Sequence, residues 1–350
     1  MKLLVVTQAV DVEDPVLGFF VQWIEEFSKH VERVEIICLK EGKHALPANV
    51  RVHSLGKERA VASRLTYAIR FKMLIWKLRN DYETVFVHMN PEYVVIGGVL
   101  WHMLGKRIGL WYVHRSVNLK LRIAAMLADY IFTASPEGFL LATPKLHVVG
   151  HGVDTEKFRA PIRQFGTPVR IVSVGRITPI KNFDTLIEAV ALLKEKGIDA
   201  HATIIGAPIS TADEAYQMSL KELAAKWDIS DRITFAGSVP HAQMPEQYSH
   251  FDISVNLSPT GGLDKAVLES IAAGLLVFVS NRGFVNLLGT HANKILFHER
   301  DATECANRIA ALVHHTDIVE HIRTDLSRRV ETMSVQTLIP RILSFYEKKS

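Results

Sequence analysis

Short apolar runs alternate along the chain with stretches whose apolar positions recur every three or four residues. Runs at residues 3–7, 34–39, 51–55, 84–89, 107–113, 131–134 and 146–149 read as buried strands, and 19–30 and 94–104 read as helices between them. Residues 159–168, with two prolines, a glycine and no periodicity, read as a linker. A second alternation follows it. Strands are predicted at 169–174, 200–205, 233–235, 251–257 and 275–279, with helices at 183–196, 213–227, 244–249 and from 263 to Gly274. Ser334 reads as the N-cap of a last helix reaching about Tyr346, with Pro340 inside it. The order β–α–β, repeated on both sides of a linker, predicts an α/β chain of two doubly wound, Rossmann-like domains. The boundaries expected are 1–160, 169–333 and a terminal helix at 334–350.

Length agrees with two cores, since 350 residues exceed what one core usually serves. Net charge is only +4, which disfavours a nucleic-acid partner. The charge is uneven: residues 1–165 are net +6 and the remainder net −2. Cys38 and Cys305 fall in different domains, so no disulfide framework is expected and a reducing, cytoplasmic compartment fits. Lys2 precedes only a short apolar run, so no signal peptide is expected, and no stretch has the apolar length of a membrane span. Residues 57–79 hold seven basic residues and one acid, Glu58. As one long helix they would align Val61, Leu65, Ile69, Met73 and Trp76 on one face, with Arg59, Arg70 and Lys77 away from it. That helix reads either as a solvated surface element or as a dock for anionic lipid headgroups or an acidic acceptor.

Candidate chemistry sits at the strand ends. No Gly-x-Gly-x-x-Gly follows the first strand, which disfavours a dinucleotide, although Gly18 marks the entry to the first helix. Thr260, Gly261 and Gly262 form a turn opening a helix, with Asp264 at its start. Such a turn reads either as an anion site, through free N–H groups and the helix dipole, or as an ordinary corner with Asp264 balancing the dipole. Arg176 and Lys181, five apart on the loop after the 169–174 strand, supply what a diphosphate needs: a bidentate donor and a mobile point charge. Glu269 reads either as a ribose acceptor or as the i,i+4 partner of Lys265. Neither His147 with His151 nor His314 with His315 has a third ligand at metal spacing, and there is no Asp-x-Asp.

Val174-Gly175-Arg176, Lys181-Asn182, Glu188-Ala189, Gly206, Phe235-Ala236-Gly237, Asp252 and Leu268-Glu269-Ser270 together resemble the donor domain of glycosyltransferase family 4. Gly18, His114, Asp129 with Thr133-Ala134-Ser135, and Gly150-His151-Gly152-Val153-Asp154 are compatible in the first half. The resemblance implies the two-Rossmann-domain (GT-B) architecture, its domains facing a central cleft and its last helix crossing back onto the first. It implies a retaining transferase that needs no metal or other cofactor and moves a sugar from a UDP- or GDP-sugar to a glycan or lipid-linked hydroxyl. Arg176 and Lys181 would then bind the diphosphate, and His114 would contact the transferred sugar. Glu269 would hold the ribose, and Gly18 would approach the phosphates. Gly206 and the backbone of 237–240, Val239 included, would border the base. The family's first glutamate, eight positions before the second, is here Gly261, and Asp264-Lys265 replaces a usual Gly-Leu. Sugar contact would therefore rest on N–H groups of Gly261, Gly262 and Leu263 and on Asp264. The partners implied are a nucleotide sugar and its acceptor; an anionic inner-leaflet surface is the further partner that the second reading of residues 57–79 offers. A nucleotide-sugar 2-epimerase of the same fold and a non-catalytic sugar-nucleotide-binding subunit are the alternatives.

Overall fold

The computed structural model describes every residue except 15, 60, 61, 161–163, 260 and 348–350. It divides into two compact units, Met1–Gly152 with Met333–Ser350, and Val153–Thr332.

Unit 1 holds β1 (Lys2–Val10), β2 (Arg33–Glu41), β3 (Val50–Ser54), β4 (Thr84–His88), β5 (Arg107–Trp111), β6 (Tyr130–Thr133) and β7 (Leu146–Val148). They form one parallel sheet in the order β3-β2-β1-β4-β5-β6-β7. Both faces are covered, as parallel sheets require. Leu3 and Val5 of β1 enter one core, and Leu4 and Val6 the other, which is the period of two that a strand imposes. The first core is closed by α1 (Phe20–His30) and the terminal helix Val335–Glu347. The second is closed by α2 (Arg64–Lys77), α3 (Pro91–Met103) and α4 (Leu119–Leu127).

The terminal helix is integral to unit 1. Val335, Leu338, Ile339, Ile342, Leu343 and Tyr346 are buried, and the Tyr346 hydroxyl donates to the Val85 carbonyl at 2.9 Å. Gly109 on β5 makes room for it, since a Cβ there would lie 2.0 Å from the Tyr346 hydroxyl. Ser334 caps this helix by accepting from the Thr337 N–H at 3.1 Å, and the helix runs on through Pro340.

Unit 2 holds α5 (Thr155–Phe158), β8 (Val169–Val174), α6 (Phe183–Glu195), β9 (Ala200–Ile205) and α7 (Thr211–Lys226). It continues with β10 (Ile233–Gly237), α8 (Met244–Tyr248), β11 (Ile253–Asn256), α9 (Lys265–Ala272) and β12 (Leu276–Val279), and closes with helices Ala302–Leu312 and Thr316–Glu331. Its parallel sheet runs β10-β9-β8-β11-β12.

Among the boundaries that differ from those read in the sequence, three have a clear physical reason. The first strand does not stop at residue 7: β1 pairs with β2 as far as Val10 with Glu41, so Gln8 is a strand residue. The helix read at 57–79 begins at Arg64, because Ser63 accepts from the Thr66 N–H and starts it there; Val61 lies outside the described residues. The unit division falls after Gly152 rather than in the 159–168 linker. Phe158 explains this, being buried with its ring 5.8 Å from Tyr248 and 5.7 Å from His241, both in unit 2.

Unit 2 is braced by a buried carboxylate. Asp252 accepts from the Arg170 backbone N–H at 2.9 Å and from its guanidinium at 3.1 and 2.8 Å. This pair raises the Arg170 pKa. Arg323 donates to the Asp252 carbonyl at 2.6 Å, and burial brings its own pKa down to about 10. Asp252→Ala is expected to destabilise the protein by about 2–3 kcal/mol in denaturant unfolding; this is below the cost of a fully enclosed pair because Arg170 keeps water access. A loss under about 0.5 kcal/mol, the scale of a neutral surface substitution, contradicts a bracing role.

Candidate active site

In each unit the strand order reverses beside its first strand, at β1/β4 in unit 1 and β8/β11 in unit 2. Ligands of doubly wound sheets bind outside the carboxyl ends at that point. Arg176, Lys181 and the glycine turn lie on the loops that follow β8 and β11.

In unit 2, Gly175 and Gly206 directly follow β8 and β9, and β10 ends in Gly237. Gly175 N–H donates to the Ile205 carbonyl at 3.0 Å, and Gly206 N–H to the Gly237 carbonyl at 2.8 Å. A Cβ on Gly206 would sit 1.9 Å from the Gly175 oxygen, so that position admits only glycine. Val239 is half-buried on the segment that leaves β10. Arg176 follows directly on Gly175; its side chain is exposed and has no partner among the described residues.

Lys181 is held differently. Its ammonium donates to Asp264 Oδ2 at 2.7 Å and to Ser258 Oγ at 2.9 Å, bridging the loops after β8 and β11. Asn256 and Ser258 also donate to Asp264 Oδ2, at 3.0 and 3.1 Å. The other oxygen of Asp264 caps α9 through the Ala266 N–H at 3.2 Å. Burial alone would raise the Asp264 pKa, but Lys181, Asn256 and the capped N–H lower it below the ordinary carboxylate value. Asp264 therefore orients Lys181 and starts the helix, and its carboxylate is already committed to these partners rather than open to a sugar.

The glycine turn is also partly committed. Asn281, buried after β12, accepts from Gly261 N–H at 3.1 Å and donates to the Gly262 carbonyl at 2.9 Å. Gly261 N–H is thus not open to a sugar, because the Asn281 amide fills its place. The N–H groups of Gly262 and Leu263 have no partner among the described residues. Thr260 lies outside the described residues.

Glu269 is buried on α9 and meets an imidazole and an ammonium: His241 Nε2 at 2.8 Å and Lys265 Nζ at 3.6 Å. The i,i+4 partner was foreseen. His241 was not, although it directly follows the 237–240 segment already singled out. Burial pulls the Lys265 pKa down to about 8 from 10.5, with Glu269 opposing the shift. Because the folded value lies below the unfolded one, the unfolded chain binds the extra proton between those pH values. Stability from this group accordingly rises with pH across that window, by at most about 3 kcal/mol. The stability of the native protein relative to a Lys265→Met variant should thus increase from pH 8 to about 10 in denaturant titrations. A pH-independent difference would rule the effect out.

In unit 1, Gly18 closes a tight turn, its N–H donating to the Asp14 carbonyl at 3.0 Å. A Cβ there would lie 2.8 Å from the carbonyl oxygens of Val12 and Asp14. The turn borders a cavity of about 440 Å³ lined by Gln8, Leu17, His88, Met89, Asn90 and His114, among others. His88 is buried, stacked on Phe20 at 3.9 Å. Met89 has φ +64, a left-handed conformation that costs a non-glycine residue about 1–3 kcal/mol and is found most often at functional sites. His114 lies at the rim against Tyr112, and loss of hydration lowers its pKa, which keeps the imidazole neutral at pH 7.

Other candidates are structural. His147 packs on Phe345 at 4.3 Å, and His151 meets Trp111 edge-on. His298, Asp301 and Glu304 bring ligand atoms together, but Asp301 caps the Glu304 N–H, and Glu304 binds His298 and Arg308. A cavity of about 590 Å³ beyond β12, lined mainly by apolar atoms, contains none of the predicted residues.

The family model for glycosyl transferases group 1 matches residues 154–329, half of the chain. The chain belongs to the group 1 glycosyltransferases. The colanic acid biosynthesis glycosyltransferase WcaL of Escherichia coli, a putative assignment by its own description, is 27% identical over 57% of this chain and 50% of its own length. The amylovoran biosynthesis glycosyltransferase AmsK of Erwinia amylovora is 31% identical over 46% and 40%. A GDP-mannose-dependent alpha-(1-6)-phosphatidylinositol monomannoside mannosyltransferase of Mycobacterium tuberculosis is 29% identical over 62% of each chain. The matched part is thus half or less of the length of the first two relatives. Among solved structures, Anabaena HepE in complex with UDP aligns over 99% of this chain and 100% of its own, with TM-score 0.77 at 16% identity. Sucrose-phosphate synthase of Thermosynechococcus elongatus aligns over 99% and 98%, with TM-score 0.78 at 15% identity. The fold is therefore the two-Rossmann-domain GT-B fold.

Proposed function

We propose that the protein is a retaining, metal-independent glycosyltransferase that uses a UDP- or GDP-sugar and glycosylates a hydroxyl of a glycan or lipid-linked acceptor. The observation that carries this reading is the meeting of two cations with a glycine turn at the β8/β11 switch point. Arg176 stands exposed, and Lys181 is clamped by Asp264 and Ser258. Arg176 and the Lys181 ammonium that Asp264 orients there meet the diphosphate charge that develops as the anomeric C–O bond breaks, without a metal being required. The new bond forms to the acceptor oxygen, and the acceptor proton passes to the leaving phosphate. Glu269 takes the ribose; Gly206 and Val239 border the base. With Gly261 N–H and Asp264 committed, donor-sugar contact falls to Gly262 and Leu263. The unit 1 cavity beside Gly18 and His114 takes the sugar or acceptor, with a neutral imidazole as hydrogen-bond partner. Two buried thiols, Cys38 and Cys305, fit a reducing, cytoplasmic setting.

Incubating the full chain with UDP- and GDP-sugars and soluble oligosaccharide or lipid-linked acceptors, with the product's anomeric configuration read by NMR, tests the proposal. Retained configuration without added metal is expected. Inversion, or conversion of the nucleotide sugar with no acceptor present, contradicts it.

A further inference from the structure

The helix α2 carries two apolar stripes. Phe71, Ile75 and the following Leu78 point into the core, whereas Leu65, Ile69, Met73 and Trp76, at the spacing read from the sequence, face solvent at 51–70% exposure. The same holds for α3, packed beside it, and for α4, packed on α3. Val99 and Met103 of α3 and Leu119 and Met126 of α4 are exposed, while Trp101, Leu121 and Ala124 fill the core beneath. One helical layer of unit 1 thus displays a concentration of large apolar side chains that soluble surfaces rarely carry. Cations are interleaved with them. Arg64, Lys72 and Lys77 are exposed and have no side-chain partner among the described residues, and Arg79 lies over the Trp76 ring at 4.6 Å. Arg70, by contrast, is tied to the Leu55 carbonyl at 2.8 Å.

We infer that the outer face of α2, α3 and α4 docks on an anionic lipid bilayer, with Leu65, Ile69, Met73 and Trp76 entering the headgroup boundary and Arg64, Lys72 and Lys77 meeting lipid phosphates. Charge complementarity selects this occupant. A second copy of the chain, placed face to face, would set these cations against themselves. Apolar residues flanked by a cation-stacked tryptophan match the interfacial zone of a membrane. No described helix is long and apolar enough to cross a membrane, so the contact is with its surface. This inference is independent of the transfer reaction.

Co-sedimentation of the full chain with sucrose-loaded vesicles tests it, using phosphatidylcholine alone against phosphatidylcholine with one-third phosphatidylglycerol. The protein should bind the anionic vesicles, release as salt is raised, and ignore the neutral ones. An Ile69→Ser/Trp76→Ser variant and a Lys72→Glu/Lys77→Glu variant, each checked by circular dichroism for native folding, should each weaken binding by about tenfold or more. Absence of wild-type binding, or unchanged binding in both variants, overturns the inference. So does a concentration-dependent dimer that these variants dissociate while vesicles are ignored, which would assign the face to a second copy.

Discussion

Arg176→Ala is expected to lower sugar transfer by about 10²–10³-fold while leaving stability within about 0.5 kcal/mol of the native protein. The separation follows from its surroundings: the side chain is exposed and touches no described partner, so only a bound diphosphate loses by its removal. Lys181→Ala should cost a similar factor in transfer but also stability. It leaves the Asp264 carboxylate, already desolvated, with only Asn256, Ser258 and the Ala266 N–H. Breaking one side of such a pair costs roughly 1–3 kcal/mol when the remaining group keeps some hydrogen bonds. Steady-state kinetics with denaturant unfolding separates the two effects. Undiminished turnover in Arg176→Ala would remove the diphosphate assignment.

The second large effect is steric. Gly206→Ala should destabilise unit 2 by about 3 kcal/mol or more, because its Cβ meets backbone on a strand end that cannot move alone. The obstacle is the Gly175 carbonyl at 1.9 Å, and opening that gap pulls on the Gly175–Ile205 and Gly206–Gly237 hydrogen bonds. Arg176, next in sequence to Gly175, is displaced with it, so nucleotide affinity should fall as well. Gly197→Ala is the control: it has positive φ but open space around it, and should cost only about 1 kcal/mol. Equal losses at the two positions contradict the steric account.

The strand ladder was legible because buried parallel strands are written as continuous apolar runs: 169–174 and 200–205 match β8 and β9 residue for residue. Helices Leu119–Leu127, Ala302–Leu312 and Thr316–Glu331 stand outside the predicted set. For the last, the buried Val319, Ile322, Leu326 and Val330 form a helical stripe that was available as a signal. The sidedness of α2 was not legible, since two apolar stripes on one helix do not say which one the core takes. At the candidate site, residue type and spacing single out Arg176 and Lys181 in the sequence. The partners that fix Lys181 and the glycine turn are not legible in it. Lys181 meets Asp264 across 83 positions, and Asn281 meets Gly261 across 20, so both pairings exist only once β8, β11 and β12 lie side by side. Asp264 was read as a dipole counter-charge and as a sugar contact. The first role is present as the cap of α9, and the second is displaced by Lys181.

Unit 2 is proposed to hold a nucleoside-diphosphate site whose charge is met by Arg176 and Lys181. Thermal unfolding of the full chain with UDP, GDP and the corresponding nucleosides tests it most directly. At a hundred times its dissociation constant, the preferred diphosphate should add about 2.7 kcal/mol of stability. The nucleosides should add far less, and Arg176→Ala should abolish most of the diphosphate's gain. No stabilisation by either diphosphate, or an equal gain in Arg176→Ala, would contradict the account.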